Sequence, residues 1–548
     1  MFHSILKENF MNDFSDNFNQ AALSELLFVC DLQEHLITLT EHQLQTAIEY
    51  FSNSIFADTV ERVEQIIDNI LVIVKTRPSS IHLYAKFLKG LFSLASDKNC
   101  FSKIPQLIGN PFPSTRLPAT SKFAFINECV KLEVVSPKQL VDSIELYYKT
   151  YSHQFIPWKY AFAWFAPIIE NENPFLYQLM YDKLLEQQKE NSLSNELVDF
   201  LLKFPELKSN NWKLLKKATE LLYYSLPNIN DKNEIMKENN ESSEYCDTIE
   251  AILKEDRAED LKKFAKNEGF DVNQRIITTV YEKNSFLKYS PTLIQFAAFH
   301  GSVQCVAELV QMKADLSLKD TLNRTTAMFG VAGGNIDVMQ IFEYTNCDFS
   351  ATPQIAALFI KYDAFKRLME TERFKIDQID PTFASVLHQS AASNNIHLMI
   401  VCLEKGIDVN IKDKRNWTPL HYAAGNGQLD AVFMLISHKH IELNAKTEDG
   451  STPLILASKL GYIKVVKALI SCQNILVNEI DDNKYTALHY AAASNYTSIV
   501  QSLVNVPGID ISIQDKNQNT AADLASCFGF FKCAQIIRDS DQSKCNIS

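Results

Sequence analysis

Glycine and proline are scarce in this sequence, at 14 and 17 of 548 residues. A loop-rich β architecture needs both for its turns, so their scarcity favours helices. A long apolar run is also missing. A spanning helix needs about 18 apolar residues or more, and the densest short run is Ile70 to Val74. No membrane insertion is expected. Nor is there a basic surplus, since the formal net charge is −13. Phosphate binding needs a basic surface, so nucleic acid is not an expected partner. The start of the chain carries Glu8, Asp13 and Asp16 and lacks a basic end followed by an apolar block. It does not read as a secretory signal.

Eleven cysteines are present, yet none form a C-x-x-C pair. A zinc or redox site therefore has nothing to hold it. An odd, scattered set fits reduced thiols in a cytoplasmic protein, with the nucleus as the other possibility. What the chain has in quantity is phenylalanine, 35 residues, within a composition that is 46% hydrophobic and 22% charged. That balance belongs to a folded protein.

Residues 1–226 read as a helical domain of unknown role. Val60, Val63, Ile67, Ile70 and Val74 recur at spacings of three and four, making one apolar face. Tyr84 to Leu94, Gln139 to Tyr147 and Phe175 to Leu185 repeat the pattern, and Pro78, Pro111, Pro113, Pro137, Pro157 and Pro205 fall between such segments. Trp158, Trp164 and Trp212 are expected in this region's core. Glu128, Glu133 and Glu145 read as ordinary helix-surface carboxylates. From 227 to 247 the chain turns polar and acidic, with Asp231, Glu234, Glu238, Glu241 and Glu244. This stretch is expected to be a linker.

Beyond it a period appears. A threonine or serine opens a motif at Thr292, Thr325, Thr352, Ser385, Thr418, Thr452, Thr486 and Thr520, in steps of 33, 27, 33, 33, 34, 34 and 34. The clearest copy runs Thr418-Pro419-Leu420-His421-Tyr422-Ala423-Ala424-Gly425-Asn426-Gly427. The hydroxyl can cap a helix. Pro419 fits the first helical position. Leu420 faces the core, the alanines allow close approach, and Gly427 supplies the left-handed turn at the end. Val432, Leu435 and Ile436 follow on the buried face of a second helix. Short polar hairpins, Asp408-Val409-Asn410, Leu443-Asn444 and Val477-Asn478, separate the copies. The extra residue of each longer step is expected near these hairpins. The copy at Thr352 comes early and lacks the matching His and Gly.

These residues resemble ankyrin repeats over roughly 249–539, consistent with a period near 33. The stretch from Asp271 through Gly301, with Val331-Ala332-Gly333-Gly334-Asn335, is similar to an ankyrin-type domain of unknown function found in the large protist families. Those proteins also place an uncharacterised helical region before the repeats. The resemblance implies fold and interaction, with no enzymatic activity. The expected fold is all-α: an N-terminal helical domain, then a solenoid of helix-turn-helix units. Divergent repeats are expected over 248–384, regular ones over 385–540, and a polar tail over 541–548.

No catalytic chemistry emerges from the motifs. The sequence has no P-loop, kinase signature, G-x-S-x-G or H-E-x-x-H motif, so neither catalytic, cofactor-binding nor metal-binding residues are assigned. His388, His421 and His489 share one repeat position, which reads as structural. His438 and His440 are two apart, the wrong spacing for one helix face of a metal site.

The resemblance places binding on hairpin tips and the exposed face of each first helix. The candidates are Lys414, Arg415, Trp417, Asn426, Glu448, Asp449, Lys459, Asp482, Lys484, Tyr485 and Lys516. Trp and Tyr beside Arg is the composition of an interaction hot spot; packing against the next hairpin is the other reading of both aromatics. The function expected is a non-catalytic adaptor or scaffold that holds an intracellular protein partner on its tips and concave face. The alternative is that the N-terminal region is an enzyme or a ligase-docking module, with the repeats as substrate receptor.

Overall fold

A computed structural model describes residues 20–76, 80–95, 100–109, 120–151, 157–190, 249–267, 269–276, 285–345, 347–370, 374 and 384–545. Contacts divide the chain into two compact units, Met1–Thr38 with Pro113–Leu117 and Pro353–Ser548, and Leu39–Phe112 with Pro118–Thr352. The boundary at Thr352 coincides with the early copy of the motif. The stretch 227–247 expected to be a linker, Trp212 and the side chains of Trp158 and Trp164 lie outside the described residues. Among those described, every regular element is helical, and one isolated bridge joins Arg275 to Thr292.

The first helix, α1 (Gln20–Thr38), belongs to the unit taken second below. The other unit opens with α2 (Leu44–Ser52), α3 (Val60–Thr76), α4 (Ile81–Ser93), α5 (Ile104–Ile108), α6 (Thr120–Lys131), α7 (Pro137–Tyr151), α8 (Pro157–Glu172) and α9 (Pro174–Glu190). The last three each begin at a proline, where the missing N–H has no partner to lose. The apolar stripe of α3 is buried as its spacing requires, through Val63, Ile67, Ile70 and Val74. Phenylalanine fills this core. Phe51 meets Phe56 at 4.6 Å and Phe87 edge-on at 5.2 Å, geometries that the ring quadrupole favours.

Helix pairs follow in the same unit: α10 (Ile249–Lys254) with α11 (Ala258–Phe264), α12 (Leu293–His300) with α13 (Val303–Gln311), and α14 (Thr326–Gly333) with α15 (Ile336–Tyr344). First helices α12 and α14 approach closely because Gly333 lacks a side chain. A Cβ there would sit 2.6 Å from the Phe299 carbonyl oxygen and 2.7 Å from that of Ala298. Gly334 ends α14 in the left-handed region at φ 79°.

In the C-terminal unit the pairs are α16 (Thr352–Leu358) with α17 (Tyr362–Glu370), α18 (Val386–Ala392) with α19 (Ile396–Glu404), α20 (Pro419–Asn426) with α21 (Leu429–Ile436), α22 (Pro453–Leu460) with α23 (Ile463–Ile470), α24 (Ala487–Ala493) with α25 (Thr497–Val504), and α26 (Ala521–Cys527) with α27 (Phe531–Cys545). First helices stack on first helices and second on second. The spaced threonines and Ser385 stand at the N-cap positions 292, 325, 385, 418, 452, 486 and 520, but the Thr325 hydroxyl makes no cap bond and donates to the Asp348 carbonyl instead. Thr352 departs from this: it is the first residue of α16, and its hydroxyl donates to the Phe349 carbonyl. Leu420, Ala423 and Ala424 are fully buried, and Gly427 closes α20 at φ 71°. Val432 and Leu435 are buried as expected, whereas Ile436 is only partly covered. The extra residue of each longer step lies between the second helix and the hairpin, outside both helices. Helix α1 packs against α19 and α21 in this unit.

Candidate protein-binding surface

Each regular hairpin is built around one buried acceptor. Asp413 Oδ1 accepts from the backbone N–H of Arg415 and Trp417, both at 2.8 Å, and its Oδ2 accepts from the Tyr422 hydroxyl at 2.9 Å. Asp481 repeats the arrangement with Asn483, Tyr485 and the Tyr490 hydroxyl, at 2.9, 2.8 and 2.6 Å. Asp515 accepts from Asn517 and Asn519. In the repeat between the first two, Thr447 takes the position and bonds Ser451. The acceptor thus fixes a tight turn.

Successive tips are joined through the backbone. The N–H of Glu448 donates to the Arg415 carbonyl at 2.9 Å, that of Asp482 to Asp449 at 3.1 Å, and that of Lys516 to Asn483 at 3.3 Å. A second ladder runs through the asparagines of the hairpins. Asn410 donates to the His440 carbonyl and accepts from Glu442 N–H; Asn444 does the same with Asn474 and Leu476, and Asn478 with Gly508 and Asp510. The tips therefore form one continuous rim.

The histidines hold the repeats together from behind the rim. The N–H of Ser385 donates to His388 Nδ1 at 3.0 Å, which leaves the proton on Nε2; that nitrogen donates to the Trp417 carbonyl at 3.0 Å. His421 reaches the Ser451 carbonyl at 3.2 Å and His489 that of Asn519 at 3.3 Å. Only the neutral imidazole has the acceptor this clasp needs. Burial accordingly pushes the His421 pKa down to about 4 and lowers that of His489. In the other unit Gln295 does the same job, accepting from Thr292 N–H and donating to the Leu318 carbonyl.

Most of the eleven candidate residues stand on this rim and the adjoining helix face. Lys414, Arg415, Glu448, Asp449, Lys459, Asp482, Lys484 and Lys516 are exposed. Trp417, Tyr485 and Asn426 are half-covered. Trp417 packs edge-on against Tyr422 at 5.7 Å, and Tyr485 stacks on His489 at 5.6 Å and meets Tyr490 edge-on at 5.1 Å. Each aromatic therefore has one face fixed by its own repeat, which costs little side-chain entropy on binding. Asn426 donates to the Tyr422 carbonyl, and Lys459 lies over the Tyr490 ring at 4.8 Å. Partial burial works to raise the Asp449 carboxyl, but hydrogen bonds from the Thr447 and Ser451 hydroxyls outweigh it and hold the group below the usual carboxylate range.

The remaining candidates for chemistry are occupied otherwise. Glu128 bonds His82 at 2.7 Å and pairs with Lys131, Glu133 pairs with Lys89, and Glu145 pairs with Lys149 and accepts from Asn173. The rings of His438 and His440 lie 5.9 Å apart. Among the described residues no group of three or more His, Cys, Asp and Glu could hold a metal ion. Nor is any described helix long and apolar enough to cross a membrane.

Sequence patterning did not anticipate the seating of α1 on α19 and α21. A signal was present. At one outer position those second helices carry Ile400 and Phe433, where α23 and α25 carry Lys467 and Gln501.

Comparison with known proteins finds ankyrin repeats in the C-terminal part of the chain. A family model for ankyrin repeats matches in three copies, over residues 354–447, 439–515 and 476–548. Protein phosphatase 1 regulatory subunit 27 of Mus musculus is 31% identical over 71 residues, 13% of this chain and 46% of that protein. Neurogenic locus notch homolog protein 1 of Homo sapiens is 34% identical over 139 residues, 24% of this chain and 5% of that protein. Notch-regulated ankyrin repeat-containing protein A of Danio rerio is 31% identical over 64 residues, 12% of this chain and 57% of that protein. The chain thus spans less than half the length of the first two of these relatives. Residues 354–548 of the chain form an ankyrin-repeat domain.

Proposed function

We propose that the chain is a non-catalytic adaptor whose ankyrin repeats hold a protein partner on the rim of hairpin tips and the adjoining first-helix face. One observation carries this reading. Trp417 and Tyr485 are each fixed on one face by their own repeat, with exposed Arg415, Lys414 and Lys484 beside them on a backbone-linked rim. Preorganised aromatics flanked by arginine are what interaction hot spots are made of. Working in the cytoplasm, with the nucleus as the other site, fits the nine described cysteines, all of which are free.

The test is paired affinity capture from the source cell. One bait is the wild-type chain and the other carries Arg415→Ala, Trp417→Ala and Tyr485→Ala. A protein enriched by the first bait and lost with the second is the expected result. Equal enrichment by both baits removes the rim as the site.

A further inference from the structure

The second helices of an ankyrin stack turn one side to the first helices and the other outward. Along most of this unit the outward side is polar. Lys467 of α23 and Ser498 and Gln501 of α25 are exposed there. The corresponding residues of α19 and α21 are not. His397 and Ile400 are 3% and 0% exposed, Asp430 is 8% exposed, and Phe433 is partly covered. A covered outer face at two successive repeats, followed by exposed polar ones at the next two, marks a local site rather than a property of the stack.

Helix α1 fills that site. Leu26, Val29, Cys30, Leu32 and Leu36 are each 2% exposed or less, at the three- and four-residue spacing of one helix face. A polar anchor sets the register. Gln33, 4% exposed, donates to the Asn394 carbonyl at 2.7 Å and accepts from the Ile396 N–H at 3.4 Å. Asn394 forms the turn between α18 and α19 with φ 56°. Its own amide donates to Asp430 at 3.0 Å and accepts from the Ala431 N–H at 3.0 Å. One glutamine thereby reads a turn that is tied to both repeats beneath the helix. Sliding α1 by a turn would take the buried Gln33 amide away from both of these partners.

We infer that the outer face of α19 and α21 is a helix-receiving site, and that residues 20–38 are its intramolecular ligand. The helix docks and releases as a segment while the repeats beneath it stay folded. Its position on the outer side leaves the hairpin rim open, so the chain can hold its N-terminal segment and a rim partner together. This is the helix-in-groove mode of recognition, with the peptide supplied by the same chain.

The first experiment titrates a labelled peptide of residues 20–38 onto two proteins, the full chain and the chain lacking residues 1–38. Saturable binding to the shortened chain is expected, at least tenfold tighter than to the full chain. A Leu32→Lys peptide, or Ile400→Lys in the shortened chain, is expected to weaken it at least tenfold. Equal binding to both proteins, or indifference to Leu32→Lys, overturns the inference. A second measurement needs only the full chain. Cys30 lies on the docked face of α1, whereas Cys402 lies within α19, both buried. Site-resolved alkylation under native conditions is expected to label Cys30 well before Cys402, and Gln33→Ala to speed Cys30 alone. Labelling of the two cysteines in step would show that α1 leaves only when the repeats unfold, and would overturn the inference even if the shortened chain failed to fold.

Discussion

His421 Nε2 donates to the carbonyl of Ser451, 3.2 Å away in the next repeat, while Thr418 N–H donates to the same ring's Nδ1 at 3.1 Å. One neutral imidazole therefore caps its own helix and fastens the following hairpin. Protonation would turn its acceptor into a second donor facing an N–H.

Stability should accordingly fall in mild acid. The folded His421 pKa of about 4 lies below the ordinary value of 6.5. The unfolded chain thus takes up the proton first. The stabilisation is fully present above pH 6.5 and is lost as the pH falls toward 4. The shift corresponds to about 3 kcal/mol, of which about 2 kcal/mol is gone at pH 5. Gln295 shows that glutamine can make the same two bonds, so His421→Gln is expected to stay within about 1 kcal/mol of wild type at pH 7. It should also lose less stability by pH 5. Urea unfolding at the two pH values checks this; an equal acid loss in both proteins would rule His421 out as the source.

Asp481 is buried and accepts three hydrogen bonds, from Asn483 N–H, Tyr485 N–H and the Tyr490 hydroxyl. Asp481→Ala leaves those donors without their acceptor. A loss of about 2–4 kcal/mol is expected, because each buried unpaired group costs about 1–3 kcal/mol and water rescues the outermost. Amide exchange of Tyr485 should accelerate in this variant, while that of Leu420 in an earlier repeat should not.

Gly333→Ala sets two effects against each other. Alanine favours a helix over glycine by about 1 kcal/mol. The added Cβ, however, would lie 2.6 and 2.7 Å from two carbonyl oxygens of α12. Backbone cannot rotate away as a side chain can, and overpacking costs about 1–3 kcal/mol. The clash should win, and a lowered melting temperature is the expected outcome. A raised one would mean that α12 and α14 can separate at almost no cost.

Arg324 lies with its guanidinium 3.8 Å from the centre of the Phe286 ring and 5.1 Å from that of Phe329. It also bonds the Phe286 carbonyl and pairs with the buried Asp320 carboxylate. Arg324→Lys keeps the charge but loses the planar stack and the fork. About 2–3 kcal/mol of destabilisation is expected, since the Asp320 charge is left poorly matched. A calorimetric scan of the variant beside Arg324→Met would separate the loss of geometry from the loss of charge.

Much of the repeat architecture was legible in the sequence because it is local. A cap bonds a residue three positions on, as Thr486 does with His489 N–H. A left-handed Gly427 ends the helix it follows. Such contacts recur with the repeat, so their residue types recur too. The Thr352 copy broke the spacing, and there the threonine enters the helix instead of capping it. The rim was legible as tip positions. Its joining by the backbone bonds from Glu448 to Arg415 and from Asp482 to Asp449 was not, because backbone bonds leave no side-chain signature.

What the sequence alone determined is the chain of helix pairs: capped, punctuated and spaced by interactions that close within a few residues or one repeat. What only the tertiary structure decided is the place of α1. Gln33 and Asn394 are 361 positions apart, and their hydrogen bond belongs to no period. An amphipathic helix announces that one face must be buried, but its pattern does not say against what. The choice of α19 and α21 follows from the complementary apolar face they present and from the one turn whose backbone Gln33 can pair, and both exist only once the repeats are stacked.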